Sequence, residues 1–354
     1  MDDTSGIVVT GGAGFIGSAL VRALVADGGR ITTVDKLGYA GSLANLAAVE
    51  GRPNHRFIKA NIADAATMTR VFAEARPRTV FHLAAESHVD RTIDGPMDAV
   101  TSNVTGTAVL LEAALAHWRS LDASGRSAFR FVHVSTDEVF GSLGTEGRFD
   151  ESSPHRPNSP YAATKAASEH LAHAWHATYG LPVMTVNATN TYGPYQHPEK
   201  LIPHMVLCAL AGDALPVYGD GSQVRDWLHV DDHVAALRTV AARGRAGARY
   251  ALGGRNERRN IDIVRAICAT LDEMLPAGKP HAHLIAFVAD RPGHDARYAL
   301  DPARTEAELG WRARTAFDDG LAKTVRWYAA RPGAWPEYHR ARLGLGRMAG
   351  AGTP

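Results

Sequence analysis

Two groups of residues in this chain could do chemistry together. Thr136-Asp137-Glu138 sets a hydroxyl beside two carboxylates, and Tyr161 is followed four residues later by Lys165. On a helix that spacing puts a phenol and an ammonium on one face, one turn apart. The ammonium favours the phenolate, so the spacing predicts a lowered Tyr161 pKa and a base that works near neutral pH. The Asp-Glu pair supplies a second acid and a second base. Four such groups suggest an enzyme that does more than move one hydride.

The surrounding sequence says which elements must hold them. Val132-His133-Val134-Ser135-Thr136 reads as a buried parallel strand, so the carboxylate pair falls at its C-terminal end, where open parallel sheets bind ligands. Tyr161–Tyr179 reads as a helix, with Gly180 as its C-cap and Pro182 blocking continuation. The first half of the chain alternates short apolar runs with amphipathic stretches, the pattern of βαβ units. Strands are predicted at Ile7–Thr10, Ile31–Asp35, Arg56–Lys59, Thr79–Leu83, Arg130–Ser135 and Val183–Asn187. Helices are predicted near Phe15–Ala26, Ala66–Ala75 and Met97–His117.

Gly11-Gly12-Ala13-Gly14-Phe15-Ile16-Gly17 follows the first strand and opens the first helix. Gly11 permits the tight turn, Gly14 a close approach to a pyrophosphate, and Gly17 close helix–strand packing. The helix N-terminus adds N–H donors and a favourable dipole. Asp35 ends the second strand, where a carboxylate binds a ribose diol and repels a 2′-phosphate. This predicts NAD as the cofactor, although Lys36 beside it could accept a phosphate. Read singly, Asp35 is a turn residue, Asp137 and Glu138 are loop carboxylates, and Tyr161 is a helix-start aromatic. Their joint placement on a dinucleotide fold favours a catalytic site.

The chain has 354 residues, 45% of them hydrophobic, which is enough for a large core in two lobes. Its net charge of +1, without a basic run, argues against nucleic acid or an anionic membrane as a main partner. Cys208 and Cys268 sit in apolar helical runs and read as buried free thiols of a reducing compartment. The chain opens directly into a strand without a leader, and no apolar run reads as a bilayer span; a soluble cytoplasmic protein is predicted. The fold class is α/β: a Rossmann-type doubly wound parallel sheet with a smaller α/β C-terminal substrate-binding lobe. Residues 1–193 form the first lobe, with 226–254 returning to it. Residues 194–225 and 255–330 form the second, and 331–354 read as a poorly ordered tail. His170, His173 and His176 recur along one helix, but without supporting Cys or carboxylates they read as a helix face and not a metal site.

Beyond this local reading, the sequence resembles the extended short-chain dehydrogenase/reductases, and among them the dTDP-glucose 4,6-dehydratases. The resemblance runs from Ile7 to Tyr328. It rests on Ala84-Ala85-Glu86-Ser87-His88-Val89-Asp90-Arg91, on Ser135-Thr136-Asp137-Glu138-Val139-Phe140-Gly141, and on Tyr192-Gly193-Pro194-Tyr195. Pro198-Glu199-Lys200-Leu201-Ile202-Pro203, Arg225-Asp226-Trp227 and Ala289-Asp290-Arg291-Pro292-Gly293-His294-Asp295 complete it.

That resemblance implies an internal redox cycle on tightly held NAD. Tyr161, with Lys165 and Thr136, takes the sugar 4-hydroxyl proton as hydride leaves C4. Glu138 removes the C5 proton, Asp137 protonates the departing 6-hydroxyl, and hydride returns to C6. Cofactor contacts are implied for Gly11, Gly14, Phe15, Ile16, Gly17, Asp35, Lys36, Asn61, Ile62, Leu83, Ala84, Ala85, Ser102, Tyr161, Lys165 and Thr191.

For dTDP-glucose, the resemblance implies contacts from Ser87, Asn190, Asn256, Leu201 and His294. Lys200, Arg225 and Arg291 would lie on the diphosphate side, and Pro216 to Tyr218 along the thymine. It further implies a homodimer through a four-helix bundle of Met97–His117 and Tyr161–Tyr179. Departures from the family pattern fall on cofactor contacts: Thr191 where a second Asn is usual, Asn61 for Asp, and Gly38 and Ser102 where Thr is common. The alternatives are an epimerase or dehydratase of a UDP-, CDP- or GDP-sugar, and a non-catalytic sensor of NAD or a sugar nucleotide.

Overall fold

A computed structural model describes residues 6–276, 278–290 and 293–331. Short β-branched runs in the first half form strands β1 (Gly6–Thr10), β2 (Arg30–Asp35), β3 (His55–Lys59), β4 (Pro77–His82), β5 (Arg130–Thr136) and β6 (Val183–Ala188). With β10 (Arg249–Leu252) they make one seven-stranded sheet, ordered β10-β6-β5-β4-β1-β2-β3. Every pairing in it is parallel. The order reverses between β1 and β4, which opens the crevice where such sheets take ligands. The Gly-rich turn after β1 and the loop after β4 both face that crevice.

Each expected strand of the first half is present, with ends shifted by a residue or two. Phe15–Ala26 is a helix as expected, and Ala65–Ala75 starts one residue early because Asp64 caps it through Thr67 N–H (3.1 Å). The expected Met97–His117 helix runs from Pro96 to Ser120. Its Val100–Thr105 segment has the wider π-helical turn, a feature that period counting does not detect. By length and composition this stretch could cross a bilayer, which corrects the expectation that no segment could. It packs instead against the Ala65–Ala75 and Pro160–Tyr179 helices, and 56% of its apolar window is buried.

Beyond β6 the chain leaves the sheet. Strands β7 (Asn190–Tyr192), β9 (Val224–His229) and β11 (Glu257–Arg259) form a small mixed sheet. Strands β8 (Leu215–Tyr218) and β12 (Ile285–Val288) pair in parallel. Helices Leu201–Ala211, Asn260–Met274 and Phe317–Ala329 pack their apolar faces into a second buried cluster, which includes Ile202, Val264, Ile267 and Val325. Cys208 and Cys268 lie in this cluster, buried and outside any disulfide. Of the tail expected from residue 331 onward, only Arg331 falls among the described residues.

Candidate active site

Ser159 caps the helix that carries the phenol and the ammonium. Its hydroxyl accepts from Ala162 N–H (3.1 Å), and Pro160 occupies the first helical position. Gly180, at φ +75°, closes the other end. The helix therefore starts one residue before Tyr161, and Tyr161 and Lys165 point at the end of β5. Thr136 ends that strand and caps a short 3-10 turn, its hydroxyl accepting from Glu138 N–H at 3.2 Å and donating to Asp137 Oδ1 at 3.2 Å. Asp137 is thereby tucked inside at 2% exposure, while Glu138 is half-buried on the wall.

These groups share one cavity of about 310 Å³ with the Gly-rich turn. Thr136, Asp137, Glu138, Tyr161 and Lys165 all line it. So do Gly11, Gly14, Phe15, Ile16, Gly17, Asp35, Lys36, Asn61, Ile62, Leu83, Ala84, Ala85, Ser102 and Thr191. Of the substrate-side candidates Ser87, Asn190 and Lys200 are on its wall.

The other described candidates lie outside it. Arg225 on β9 donates to the carbonyls of Val224 and Asp295, each at 2.8 Å, and its guanidinium covers the Tyr298 ring at 4.3 Å. Asn256 braces a turn, its N–H on Asp226 Oδ1 (2.7 Å) and its amide on the Gly254 carbonyl (2.8 Å). Tyr218 reaches from β8 to Asp90 Oδ2 (3.4 Å), with His294 edge-on to its ring and paired to Asp290 at 2.6 Å. Pro216 is in β8 and Leu201 begins a helix. Arg291 is outside the described residues.

Electrostatics divide the two carboxylates. Burial, and then the neighbouring Glu138, push Asp137 up to about 7. A carboxyl with that value holds its proton near neutrality and can act as an acid. The phenol departs from the sequence expectation. Burial, Glu138, Tyr39 and Asp137 together raise Tyr161 well above its usual value, with the Thr136 hydrogen bond opposing them. The ammonium does not offset this, because burial pushes Lys165 itself down to about 8 and its Nζ donates to the Val134 carbonyl at 2.8 Å. Tyr161 is thus a protonated phenol in the resting site, and it must lose its own proton before it can accept another.

The cavity fits a dinucleotide. Gly11 stands at φ +70°, and a Cβ there would meet Ala84 N at 2.6 Å. Gly14 begins the Phe15–Ala26 helix with no side-chain cap, leaving its first N–H groups toward the cavity. Asp35 anchors the turn, accepting from Ala13 N–H (3.0 Å) and Leu37 N–H (2.8 Å), and burial raises its pKa. Lys36 is spent on Glu86 (2.5 Å) and Ser102 (2.9 Å), which removes the basic group that could have favoured a 2′-phosphate. Asn190 Oδ1 is buried on the wall with no hydrogen-bond partner, an acceptor open to a ligand. Among the described residues no group of three His, Cys, Asp or Glu side chains could hold a metal ion.

Sequence reasoning passed over Tyr39, Gln196, His197, Glu199 and His233, which also line the cavity. Glu199 is the most telling. Its side chain is 3% exposed, burial raises its pKa, and it faces His88 at 3.3 Å, His197 at 3.6 Å and Lys200 at 3.8 Å. Its signal was a carboxylate directly beside a lysine already singled out. Tyr39 lies in an irregular loop and gave none.

A doubly wound parallel sheet, a Gly-rich turn and a Tyr-Lys pair at the end of β5 define an NAD-dependent extended short-chain dehydrogenase/reductase. Residues 8–324 match the family model described as GDP-mannose 4,6 dehydratase. A probable dTDP-glucose 4,6-dehydratase from Sinorhizobium fredii is 54% identical over 344 residues, which covers 96% of this chain and 98% of that protein. The dTDP-glucose 4,6-dehydratase 1 of Escherichia coli is 51% identical, covering 91% and 92%. The structure of the dTDP-glucose 4,6-dehydratase DesIV from Streptomyces venezuelae, with NAD and dTDP bound, superposes with a TM-score of 0.85 at 46% identity. It covers 94% of this chain and 99% of that one. A UDP-glucose 4-epimerase from Thermotoga maritima shares the fold at TM-score 0.80 and 28% identity, covering 92% and 99%. The chain belongs to the dTDP-glucose 4,6-dehydratase family.

Gly17 provides a direct test of the turn. A Cβ on it would stand 2.2 Å from Gly11 O and 2.8 Å from Gly12 Cα, both backbone atoms that cannot step aside. Gly17→Ala should purify with less than about a tenth of the wild-type NAD content, one tenfold step in occupancy corresponding to roughly 1.4 kcal/mol. Absorbance of the acid-released dinucleotide reads the result, and unchanged content would contradict the packing argument.

Proposed function

We propose that this chain converts dTDP-glucose to dTDP-4-keto-6-deoxyglucose and water, keeping NAD bound through the cycle. The observation that carries the reading is the acid–base split at the end of β5. Asp137 is buried and protonated near neutrality, and Glu138, half-buried, is the base beside it. Bound NAD supplies the hydride acceptor at C4 and the hydride returned at C6.

The protein's own groups handle the protons. Tyr161 takes the 4-hydroxyl proton, with the Thr136 hydroxyl bonded to it and Lys165 one turn along the helix. Because its pKa is raised, Tyr161 must first give its own proton to solvent; the positive charge of bound oxidised NAD, added to that of Lys165, would favour the phenolate that then takes the 4-hydroxyl proton. The 4-ketone acidifies C5–H, and Glu138 removes that proton. Asp137 gives its proton to the leaving 6-hydroxyl, which departs as water. Lys200, held by the Ser87 carbonyl at 3.0 Å, places an ammonium on the wall for the diphosphate. The lobe built from residues 194–225 and 255–330 would cover the nucleotide, with Pro216 and Tyr218 of β8 beside the thymine.

The same-fold alternative is a 4-epimerase, represented by the Thermotoga neighbour. A 4-epimerase inverts C4 and leaves the C5 proton and the 6-hydroxyl in place, so it needs no acid–base pair such as Asp137 and Glu138.

Incubation with dTDP-, UDP-, CDP- and GDP-glucose, followed through the alkaline absorbance of the keto sugar, tests the substrate. dTDP-glucose should be turned over best; good turnover of another sugar nucleotide without it would sink the base assignment. Glu138→Gln should lose about 100-fold or more in rate while retaining its NAD, the scale of general base catalysis. A normal rate in that variant would mean that another group takes the C5 proton.

Asp137 acts only while protonated, and its pKa is raised to about 7. Turnover at saturating substrate should therefore decline as pH rises through about 7. A kcat flat from pH 6 to 9 would remove Asp137 as the acid.

The assembly we propose is a homodimer in the cytoplasm. Met97 (67% exposed) and Tyr179 (41%) stand on the outer faces of the Pro96–Ser120 and Pro160–Tyr179 helices. The same two helices of a second copy would cover them as a four-helix bundle. The two buried free thiols suit a reducing compartment. Met97→Asp should shift the light-scattering mass from dimer toward monomer, and an unchanged dimer would place the interface elsewhere.

A further inference from the structure

Further along the catalytic helix lies a carboxylate that none of these steps uses. Glu169 follows Tyr161 and Lys165 by successive four-residue steps on the Pro160–Tyr179 helix, and it is 2% exposed. A buried carboxylate is tolerated only when paired, and this one is met from three sides. Asn187 Nδ2 donates to its Oε1 at 2.7 Å from β6. Arg249 Nη2 of β10 stands 3.2 Å from its Oε2, and His155 Nε2 of the preceding loop 3.1 Å. Burial pushes its pKa up, but the His155 hydrogen bond and the Arg249 charge more than reverse this, so Glu169 is ionised.

Two threads run from Glu169 to the reacting groups. Asn187 is fully buried, and the same Nδ2 that meets Glu169 also donates to the Thr136 carbonyl at 3.0 Å. That carbonyl immediately precedes Asp137, so the end of β5 is tied through one amide to a fixed negative charge. The second thread is electrostatic. Burial drives Lys165 toward its neutral form, and Glu169 is the charge that opposes this.

We propose that Glu169 is a positioning residue of the reaction, holding the Thr136 end of β5 through Asn187 and supplying the buried counter-charge that keeps Lys165 an ammonium. The inference deepens the proposed dehydratase reading and rests on it. It separates from a packing role because a neutral isostere fills the same space. Glutamine at this position could still accept from Asn187 while removing the charge that Lys165 senses. The other charged or titratable groups around Glu169 are His155, Arg249, Glu151, Arg245, Arg304 and, on its own helix, His173, His176 and His170, whose Nε2 lies 3.2 Å from His155 Nδ1. The one anion among them, Glu151, is engaged elsewhere, its Oε1 accepting from Ala251 N–H at 3.2 Å and from the Thr305 hydroxyl at 3.1 Å.

The test follows Lys165 directly. In protein labelled with 13C at the lysine ε-carbon, the Lys165 signal, assigned by its loss in Lys165→Arg, is titrated in wild type and in Glu169→Gln. Lys165 should titrate at lower pH in Glu169→Gln. At pH 7 kcat for dTDP-glucose should fall on the order of tenfold, as for a small displacement of reacting groups, with KM and NAD content little changed.

Glu169→Asp keeps the charge but withdraws it by one methylene, so it should move the titration less in the same direction and recover part of kcat. Should Glu169→Gln fail to accumulate, the Asp variant decides. A Lys165 titration unmoved from wild type in the variant obtained overturns the proposal. So would a loss of kcat that merely follows loss of bound NAD or of folded protein. Wild type that titrates as described but leaves dTDP-glucose unchanged would instead overturn the substrate reading.

Discussion

A buried ammonium is the constraint on which this site depends. Lys165 is 4% exposed, lies under the end of a parallel sheet and donates to the Val134 carbonyl. An ion in that position must be met by fixed dipoles and charges, or it gives up its proton. The surrounding architecture supplies them. β5 ends so that its carbonyls face the helix, Ser159 and Pro160 fix where that helix begins, and the strand order brings β1, β4, β5 and β6 side by side. Without the charge on Lys165 the Tyr161 phenol would have no cation one helical turn away to favour its phenolate, a poor arrangement for starting an oxidation.

The Asp137–Glu138 pair shows how one turn of backbone can give two adjacent carboxyls opposite tasks. The 3-10 turn capped by Thr136 sends one inward and leaves the other on the wall. Their proximity then works in favour of the division, because the charge of Glu138 resists ionisation of the more buried Asp137, which keeps its proton. Structural neighbours with the same sheet include 4-epimerases. What distinguishes a dehydratase reading is therefore confined to a few atoms at a strand end, while the fold is common property.

Much of this was legible in the sequence, and the rest was hidden for identifiable reasons. The strands of the main sheet, the Gly-rich turn and the Phe15–Ala26 helix follow from periodicity and glycine placement, which are local. The Tyr161–Lys165 spacing correctly puts two groups on one face. It misjudged the phenol because pKa depends on burial and on Glu138 and Asp137, which arrive from another element. Arg225 shows the same limit: its guanidinium serves the carbonyls of its own lobe and the Tyr298 ring, contacts made across long stretches of chain. The π-helical turn at Val100–Thr105 leaves the apolar pattern almost unchanged and is visible only in the backbone.

The path of the chain after β6 has a consequence for modularity. The polypeptide leaves the main sheet for β7, β8 and β9, returns to it as β10, and departs again for β11 and β12. The main sheet and the three-stranded sheet each draw strands from separate stretches of chain, so a single cut cannot release either one whole. Removing the stretch from β7 to β12 would also strip β10 from the margin of the main sheet.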